Sequence, residues 1–155
     1  MSNLVNRQKH VVGLAPTSSV SGVTPDAVKM NNWNHLTIYI LVDNGTSPGG
    51  SAITLKQGST SSPATALAFT KAWKNIDVAA GDTLTEFTVS SNTFTTDTTN
   101  DKNLLYVIEV DADDLTEGNN WVAVGVGNAS NCAASVLYAL SDSRYAGDNQ
   151  PTAIA

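Results

Sequence analysis

Residues 34–42 read Asn-His-Leu-Thr-Ile-Tyr-Ile-Leu-Val, and this stretch decides the fold. Every second residue is a large aliphatic one: Leu36, Ile38, Ile40 and Val42. Between them stand Thr37, Tyr39 and Leu41. Because β-branched and aromatic residues at period two favour extended backbone, the stretch predicts a β-strand. Since both of its faces are largely apolar, it predicts a central strand of a sheet.

The composition is typical of a β-protein with polar turns. The chain has 155 residues, of which 41% are hydrophobic and 14% charged. That length suits a single domain with a real core. The charged fraction is well below the usual quarter, and Ser, Thr and Asn take up the difference. Such a composition indicates strands with hydroxyl-bearing outer faces, and neither a helical nor a disordered chain.

The charge excludes one class of partner and is unevenly placed. The formal net charge is −6 and the pI about 4.5, so we expect no nucleic-acid partner. Residues 1–75 hold six basic and two acidic residues, whereas residues 76–155 hold two basic and twelve acidic ones. Sheet pairing would mix the two halves, or the chain would be a dipolar particle that docks on neighbours of opposite sign. No apolar run reaches membrane-spanning length and the N-terminus lacks a hydrophobic signal core, so we expect a soluble protein made in the cytoplasm.

Shorter strand patterns follow the central one, with turn residues between them. The clearest are Ser51–Gln57, Thr83–Ser90, Leu104–Val110, Trp121–Val126 and Ala133–Leu140. Thr65–Trp73 fits a strand or a short helix that starts at Ser62-Pro63, and we expect a strand because its neighbours are strands. Seven or eight predicted strands, with no long helix and no repeat, indicate an antiparallel β-sandwich or β-barrel.

The two ends of the chain show no clean period. Pro16 and Pro25 interrupt residues 1–32, which we interpret as an extended arm that lies along the domain or reaches a neighbour. The predicted organisation is therefore an arm over residues 1–32, a β-sandwich over residues 33–145 and a tail over residues 146–155.

Asp111–Asn119 holds the chain's carboxylate cluster. A calcium-binding EF-hand loop needs Gly at its sixth position and Glu at its twelfth, but counting from Asp111 these are Thr116 and Val122. The favoured interpretation is a one-turn helix between two strands, capped by Asp113 or Asp114, with Leu115 in the core and Gly118 ending the turn. We expect no metal there.

The remaining residues predict no catalytic site and no cofactor. There is no Gly-x-Ser-x-Gly elbow, and neither His10 nor His35 has a recognisable partner. Cys132 is the single cysteine, which excludes an intrachain disulfide, and its alanine neighbours predict a buried thiol. Three tryptophans, Trp33, Trp73 and Trp121, would suit a sugar-binding platform, although such residues more often lie in interfaces or at sandwich ends.

Several segments in order resemble one family of virion proteins. They are Met30–His35 leading into Leu36–Val42, then Ser51–Gln57, Thr65–Trp73, Ile108–Leu115, Gly118–Val126, Leu140–Tyr145 and Pro151–Ile154. Over roughly residues 10–155 the chain resembles the jelly-roll decoration proteins that cement and stabilise the heads of tailed phages. The motifs are short and mostly structural.

The resemblance implies a jelly-roll-like antiparallel β-sandwich and a role on the virion. It implies a protein that decorates and cements the outer capsid surface at capsomer junctions, with the major capsid protein as partner and a homo-oligomer, a trimer by preference. It implies no enzyme activity, no membrane partner, and assembly in the host cytoplasm. No motif transfers contact residues, so the candidate interaction residues are side chains of the terminal segments: Arg7, Lys9, His10, Arg144 and Tyr145. A carbohydrate-binding sandwich for host recognition is the alternative, and a small hydrolase ranks last.

Overall fold

Eleven strands and one short 3-10 helix make up the regular structure of residues 7–19, 21–144 and 152–154, the part of the chain that the computed structural model describes. No helix of the described part is long and apolar enough to cross a membrane. The strands are β1 Lys9–Ser18, β2 Val28–Lys29, β3 Trp33–Asn44, β4 Ala52–Gly58, β5 Thr65–Ala66, β6 Lys71–Asn75, β7 Thr85–Thr88, β8 Thr93–Thr95, β9 Asn103–Asp111, β10 Trp121–Val126 and β11 Cys132–Ser143.

The strands form two antiparallel sheets packed as a sandwich. A large sheet has the order β1-β11-β3-β9-β6-β7, and a small sheet has the order β2-β10-β4-β5 with β8 paired to β4. Eight of these strands, in the orders β1-β11-β3-β9 and β2-β10-β4-β5, form two four-stranded sheets ordered as in a jelly roll. The predicted all-β, jelly-roll-like sandwich is confirmed.

Residues 34–42 lie in β3, a central strand of the large sheet. β3 pairs with β11 on one side and β9 on the other, so that Ile38 lies between Tyr138 and Ile108. Ile38 and Ile40 have no exposed surface, whereas Leu41 on the opposite face is 49% exposed. The period-two prediction is therefore confirmed, with the even-numbered residues of β3 facing the core.

The core lies between the two sheets and is joined by one buried polar contact. Ile53 and Leu55 of β4 and Val122 of β10 pack from the small sheet against the inner face of the large one. The hydroxyl of Tyr138 on β11 accepts a hydrogen bond from the Val124 backbone N–H of β10 at 3.2 Å. Since Tyr138 has no exposed surface, this bond ties the two sheets together inside the core.

Part of the predicted arm lies in the sheets. Residues 9–18 form the edge strand β1, which pairs along β11, and residues 28–29 form β2 of the small sheet. Val11 is buried and Gly13 packs against the Tyr138 ring. Two register shifts in β1, between Val12 and Leu14 and between Leu14 and Thr17, break its alternation, which is why the sequence showed no period there. The sandwich thus takes in chain before residue 33.

Thr65–Trp73 is not one strand, and that prediction is wrong. Residues 65–66 are β5 of the small sheet, and β6 begins at Lys71 in the large sheet. Between them the chain crosses from one sheet to the other. Leu67 is buried in the crossing and Phe69 packs against the core.

The carboxylate cluster forms the predicted single helical turn. A 3-10 helix spans Ala112–Asp114, and the Asp114 carboxylate accepts the backbone N–H of Asp111 at 2.9 Å. Asp111 is the N-cap residue, one turn earlier than the predicted Asp113 or Asp114. Leu115 packs against the core and Gly118 has a φ of +86°, as a chain reversal requires.

Strand pairing mixes the basic and acidic halves of the chain. β1 and β3 come from the basic half and β9 and β11 from the acidic half, and they alternate in the large sheet. In the small sheet β4 pairs with β10 in the same way. This favours the interpretation in which the charge difference averages out over the particle.

Candidate interaction surfaces

The outer face of the large sheet carries a continuous row of apolar side chains. Strand register places Val12, Leu137, Tyr39, Val107 and Trp73 side by side across β1, β11, β3, β9 and β6. These residues point away from the core because their even-numbered neighbours on β3, β9 and β11 point into it. Val12 is 62% exposed and Val107 6% exposed, and the other three are partly exposed. The row crosses five of the six strands.

A second row extends this apolar surface along the strands. Ser135, Leu41, Leu105 and Asn75 are adjacent on β11, β3, β9 and β6. Pro16 and Val78 line a shallow groove with Leu41 beside this row. Contiguous exposed apolar surface of this kind marks an interaction site in most monomeric folds.

The outer face of the small sheet is different in chemistry. Ala52, Thr54, Lys56 and Gly125 line a shallow depression on it, and these residues are small or polar. Trp121 is 8% exposed, and the Lys29 ammonium lies 5.8 Å from its ring centroid. The apolar outer surface is thus a property of the large sheet.

Lys9, His10 and Arg144, three of the candidate interaction residues, lie at one end of the large sheet. Lys9 pairs with Leu140 and His10 with Ala139, so the start of β1 adjoins the end of β11, where Arg144 follows. The Arg144 Nε donates to the Asn34 side-chain oxygen at 2.8 Å. Arg7, His10 and Arg144 are exposed. Tyr145 lies outside the described residues.

A shallow amide-rich pocket opens at the same end. It is lined by Met30, Asn31, Asn32, Ala112, Leu115, Asn119, Asn120 and Arg144. The buried Asn120 Oδ1 has no hydrogen-bond partner among the described residues, and neither does the buried Trp33 Nε1. Side-chain amides and a guanidinium suit a polar partner, because together they offer both donors and acceptors.

His35 has a partner that the sequence did not reveal. Its Nδ1 lies 2.6 Å from the Asp111 carboxylate, and its Nε2 lies 4.0 Å from Glu109. Ser141 is the cross-strand neighbour of His35 on the other side, so Ser, His and Asp stand in a row. In a serine hydrolase the Ser141 hydroxyl would form a hydrogen bond with His35 Nε2. No such hydrogen bond exists among the described residues, and His35 Nε2 faces Glu109 instead. Only tertiary register could reveal this pair, since its members are 76 residues apart.

Cys132 is buried at the start of β11. Its Sγ donates to the Gly49 carbonyl at 3.1 Å, and burial raises the pKa of the thiol. A protonated, buried thiol is a poor nucleophile. Among the described residues no group of three or more His, Cys, Asp or Glu side chains could hold a metal ion.

The three tryptophans lie on different surfaces. Trp33 is fully buried, Trp121 packs with Ala27 and Ala123 on the small sheet, and Trp73 lies half-buried on the outer face of the large sheet. They form no common platform for a sugar ring, so the observation that motivated the carbohydrate hypothesis loses its force.

Comparison with known proteins shows a shared fold and no family. No family model matches the chain, and no curated protein matches it. The structure is similar to that of the SPBc2 prophage-derived protein YomS, with a TM-score of 0.51 and 11% identity over 87% of this chain and 93% of that one. A weaker likeness, with a TM-score of 0.44 and 14% identity, links 96% of this chain to 35% of a chain from infectious bursal disease virus, Gx strain. This chain therefore has the fold of a prophage-derived protein over nearly the full length of both.

Proposed function

We propose that this chain is a structural virion protein that decorates and cements the outer surface of a tailed-phage capsid. Its partner is the major capsid protein, and it acts as a homo-oligomer. It reaches the capsid surface after assembly in the host cytoplasm. No catalytic activity and no cofactor are part of the proposal.

The observation that carries the proposal is the exposed apolar outer face of the large sheet. A decoration protein needs contact area and a rigid frame, and it needs no reacting group. The face offers Val12 and Leu41 at 62% and 49% exposure on a frame fixed by paired strands. The shared fold with a prophage-derived protein supports a phage context. The resemblance to head-stabilising proteins is the reason for proposing the capsid as the binding partner.

The experiment is binding to shells that lack the protein. Shells are made from the major capsid gene of the phage or prophage that encodes this chain, mixed with the purified protein and sedimented. We expect co-sedimentation that saturates at a fixed ratio and a higher temperature of shell disruption. Absence of binding to these shells would overturn the proposal, and retention on a glycan array would then favour the carbohydrate alternative.

Point variants locate the capsid contact better than truncation does. Removing residues 1–24 would delete β1 and leave the edge of β11 unpaired, so loss of binding would follow from misfolding. The variant Lys9→Glu/Arg144→Glu reverses charge at the end where β1 begins and β11 ends. Its control is Lys56→Glu, an exposed lysine on the small sheet. If the terminal end contacts the capsid, the double variant binds more weakly and the wild type weakens with salt, because screening shortens to a few ångströms.

A further inference from the structure

The outer face of the large sheet is large enough for a stable protein contact. Four strands, β1, β11, β3 and β9, form its apolar part, and the β3–β9 pairing runs over nine residues from His35 to Asp43. With strands ~4.8 Å apart and ~3.4 Å per residue, the flat area is about 600 Å². The accessible area of a surface covered by side chains is larger, so it approaches the ~800 Å² per partner of a standard interface.

The residues of this face are arranged so that the face complements itself. Two copies can pack face to face about a two-fold axis that runs along the strands, between β11 and β3. In that arrangement β1 of one copy lies over β9 of the other, and β11 lies over β3. Register then places Val12 over Val107 of the second copy and Leu137 over Tyr39 of the second copy. Four residues of the row, on β1, β11, β3 and β9, thus meet apolar residues of the second copy, as in the core of a protein interface, whereas Trp73 on β6 lies beyond the overlap.

The neighbouring row adds charge complementarity. His10, Ala139, Thr37 and Glu109 are adjacent on β1, β11, β3 and β9. The same axis places His10 over Glu109 of the second copy, and Ala139 over Thr37 of the second copy. Within one chain His10 and Glu109 are three strands apart, ~14 Å, and cannot pair. The Glu109 side chain is 49% exposed and its carboxylate lies 4.0 Å from His35 Nε2, beyond hydrogen-bond distance, so it can accept a hydrogen bond from His10.

Another orientation of the same two faces is less favourable. A two-fold axis running across the strands would place Glu109 over Leu105 of the second copy and Thr37 over Leu41 of the second copy. That arrangement buries a carboxylate against an apolar side chain, which costs free energy without a compensating partner.

We propose that the outer face of the large sheet binds the same face of a second copy of this chain, about a two-fold axis that runs along β3 and β11. This deepens the homo-oligomer part of the proposed function. It gives pairs of chains, where the family resemblance implies a trimer. It needs no capsid, so its failure leaves shell binding to be judged separately.

The test exchanges the residues at positions 10 and 109 and measures the mass of the particle in solution. Sedimentation or light scattering measures the dimer of the wild type, of His10→Glu, of Glu109→His, and of the double swap His10→Glu/Glu109→His. Val12→Asp serves as a strong disruption, because this side chain is 62% exposed and its loss leaves the core intact. Lys56→Glu is the control on the opposite sheet. Circular dichroism and urea unfolding check that each variant folds.

The expected result is a wild-type dimer that each single charge variant weakens about tenfold or more, since close charge pairs couple strongly across interfaces. The double swap restores dimerisation, Val12→Asp abolishes it, and Lys56→Glu leaves it unchanged. A monomeric or trimeric wild type, a dimer insensitive to Val12→Asp, or a double swap that fails to restore association would each overturn the proposal. A capsid contact cannot imitate the rescue, because its partner surface would not carry the compensating change.

Discussion

Replacement of Gly13 by alanine tests whether β1 is an integral strand of the sandwich. A Cβ at this position would lie against Cε2 of the Tyr138 ring, 2.9 Å from Cδ2 and 3.1 Å from Cζ. Tyr138 is fully buried, and its hydroxyl accepts the Val124 N–H, so the ring cannot move aside without loosening that bond. Either β1 or the ring must therefore shift.

The expected cost follows from these two contacts. Overpacking a buried site costs about 1–3 kcal/mol, and a weakened hydrogen bond adds roughly 1 kcal/mol. We therefore expect Gly13→Ala to lower the free energy of unfolding by about 2–4 kcal/mol, which corresponds to a fall in Tm of roughly 5–15 °C for a chain of this size. The assay is urea and thermal unfolding followed by tryptophan fluorescence, at one protein concentration because association shifts apparent stability.

Gly81 provides the matched control. A Cβ at Gly81 would meet no atom within 4 Å. Gly81→Ala should leave stability unchanged or raise it by about 0.4–1 kcal/mol through the unfolded chain. In a Tyr138→Phe background the Gly13→Ala penalty should shrink, because the ring is no longer held by its hydroxyl. Equal stability of Gly13→Ala and Gly81→Ala would refute the reasoning and make β1 a detachable arm.

Three further outcomes are expected. Ile38→Ala should lower the free energy of unfolding in urea by about 2–5 kcal/mol, because it empties a fully buried site. Leu41→Ala on the outer face should lower it by under about 0.5 kcal/mol. Similar losses for the two variants would contradict the assigned faces of β3. Hydrogen bonds from Thr99 lower the pKa of Asp97, so Asp97 should contribute stability that is present above its unfolded pKa near 3.9 and lost as pH falls through the lower folded value; an Asp97→Asn variant with an unchanged acid-unfolding curve would contradict this. Millimolar calcium should leave Tm unchanged, since residues 111–119 form a capped turn, and a large upward shift would reveal a bound ion.

The long strands were predictable from the sequence because burial imposes a strict period on them. β3 lies between two other strands, so one of its faces must be apolar throughout, and that pattern is legible without a structure. β1 could not be predicted from its sequence pattern, because two register shifts displace its side chains between faces and Pro16 interrupts its hydrogen-bond ladder with β11. Short strands such as β5 and β8, with two and three residues, hold too few positions to show any period.

The candidate surface was only partly predictable. Tyr39 and Leu41 were visible as the second apolar face of β3, but the row that joins them to Val12 and Trp73 depends on register between distant segments. His10 was singled out as an interaction residue, yet its relation to Glu109 appears only when β1 and β9 are placed in one sheet. Likewise the Asp111 partner of His35 lies across a strand pair, which local pattern does not encode.

The position of β11 has a consequence for the order of events during synthesis. This strand follows all the other described strands in the sequence, but it lies between β1 and β3, two of the first strands to be made. A nascent chain that has not yet released β11 therefore holds two unpaired edges and an uncovered row of core side chains. Such a chain cannot close its large sheet, and exposed edges of this kind are prone to aggregate. The large sheet can therefore close only after β11 has been synthesised, and until then the edges of β1 and β3 that face it stay unpaired.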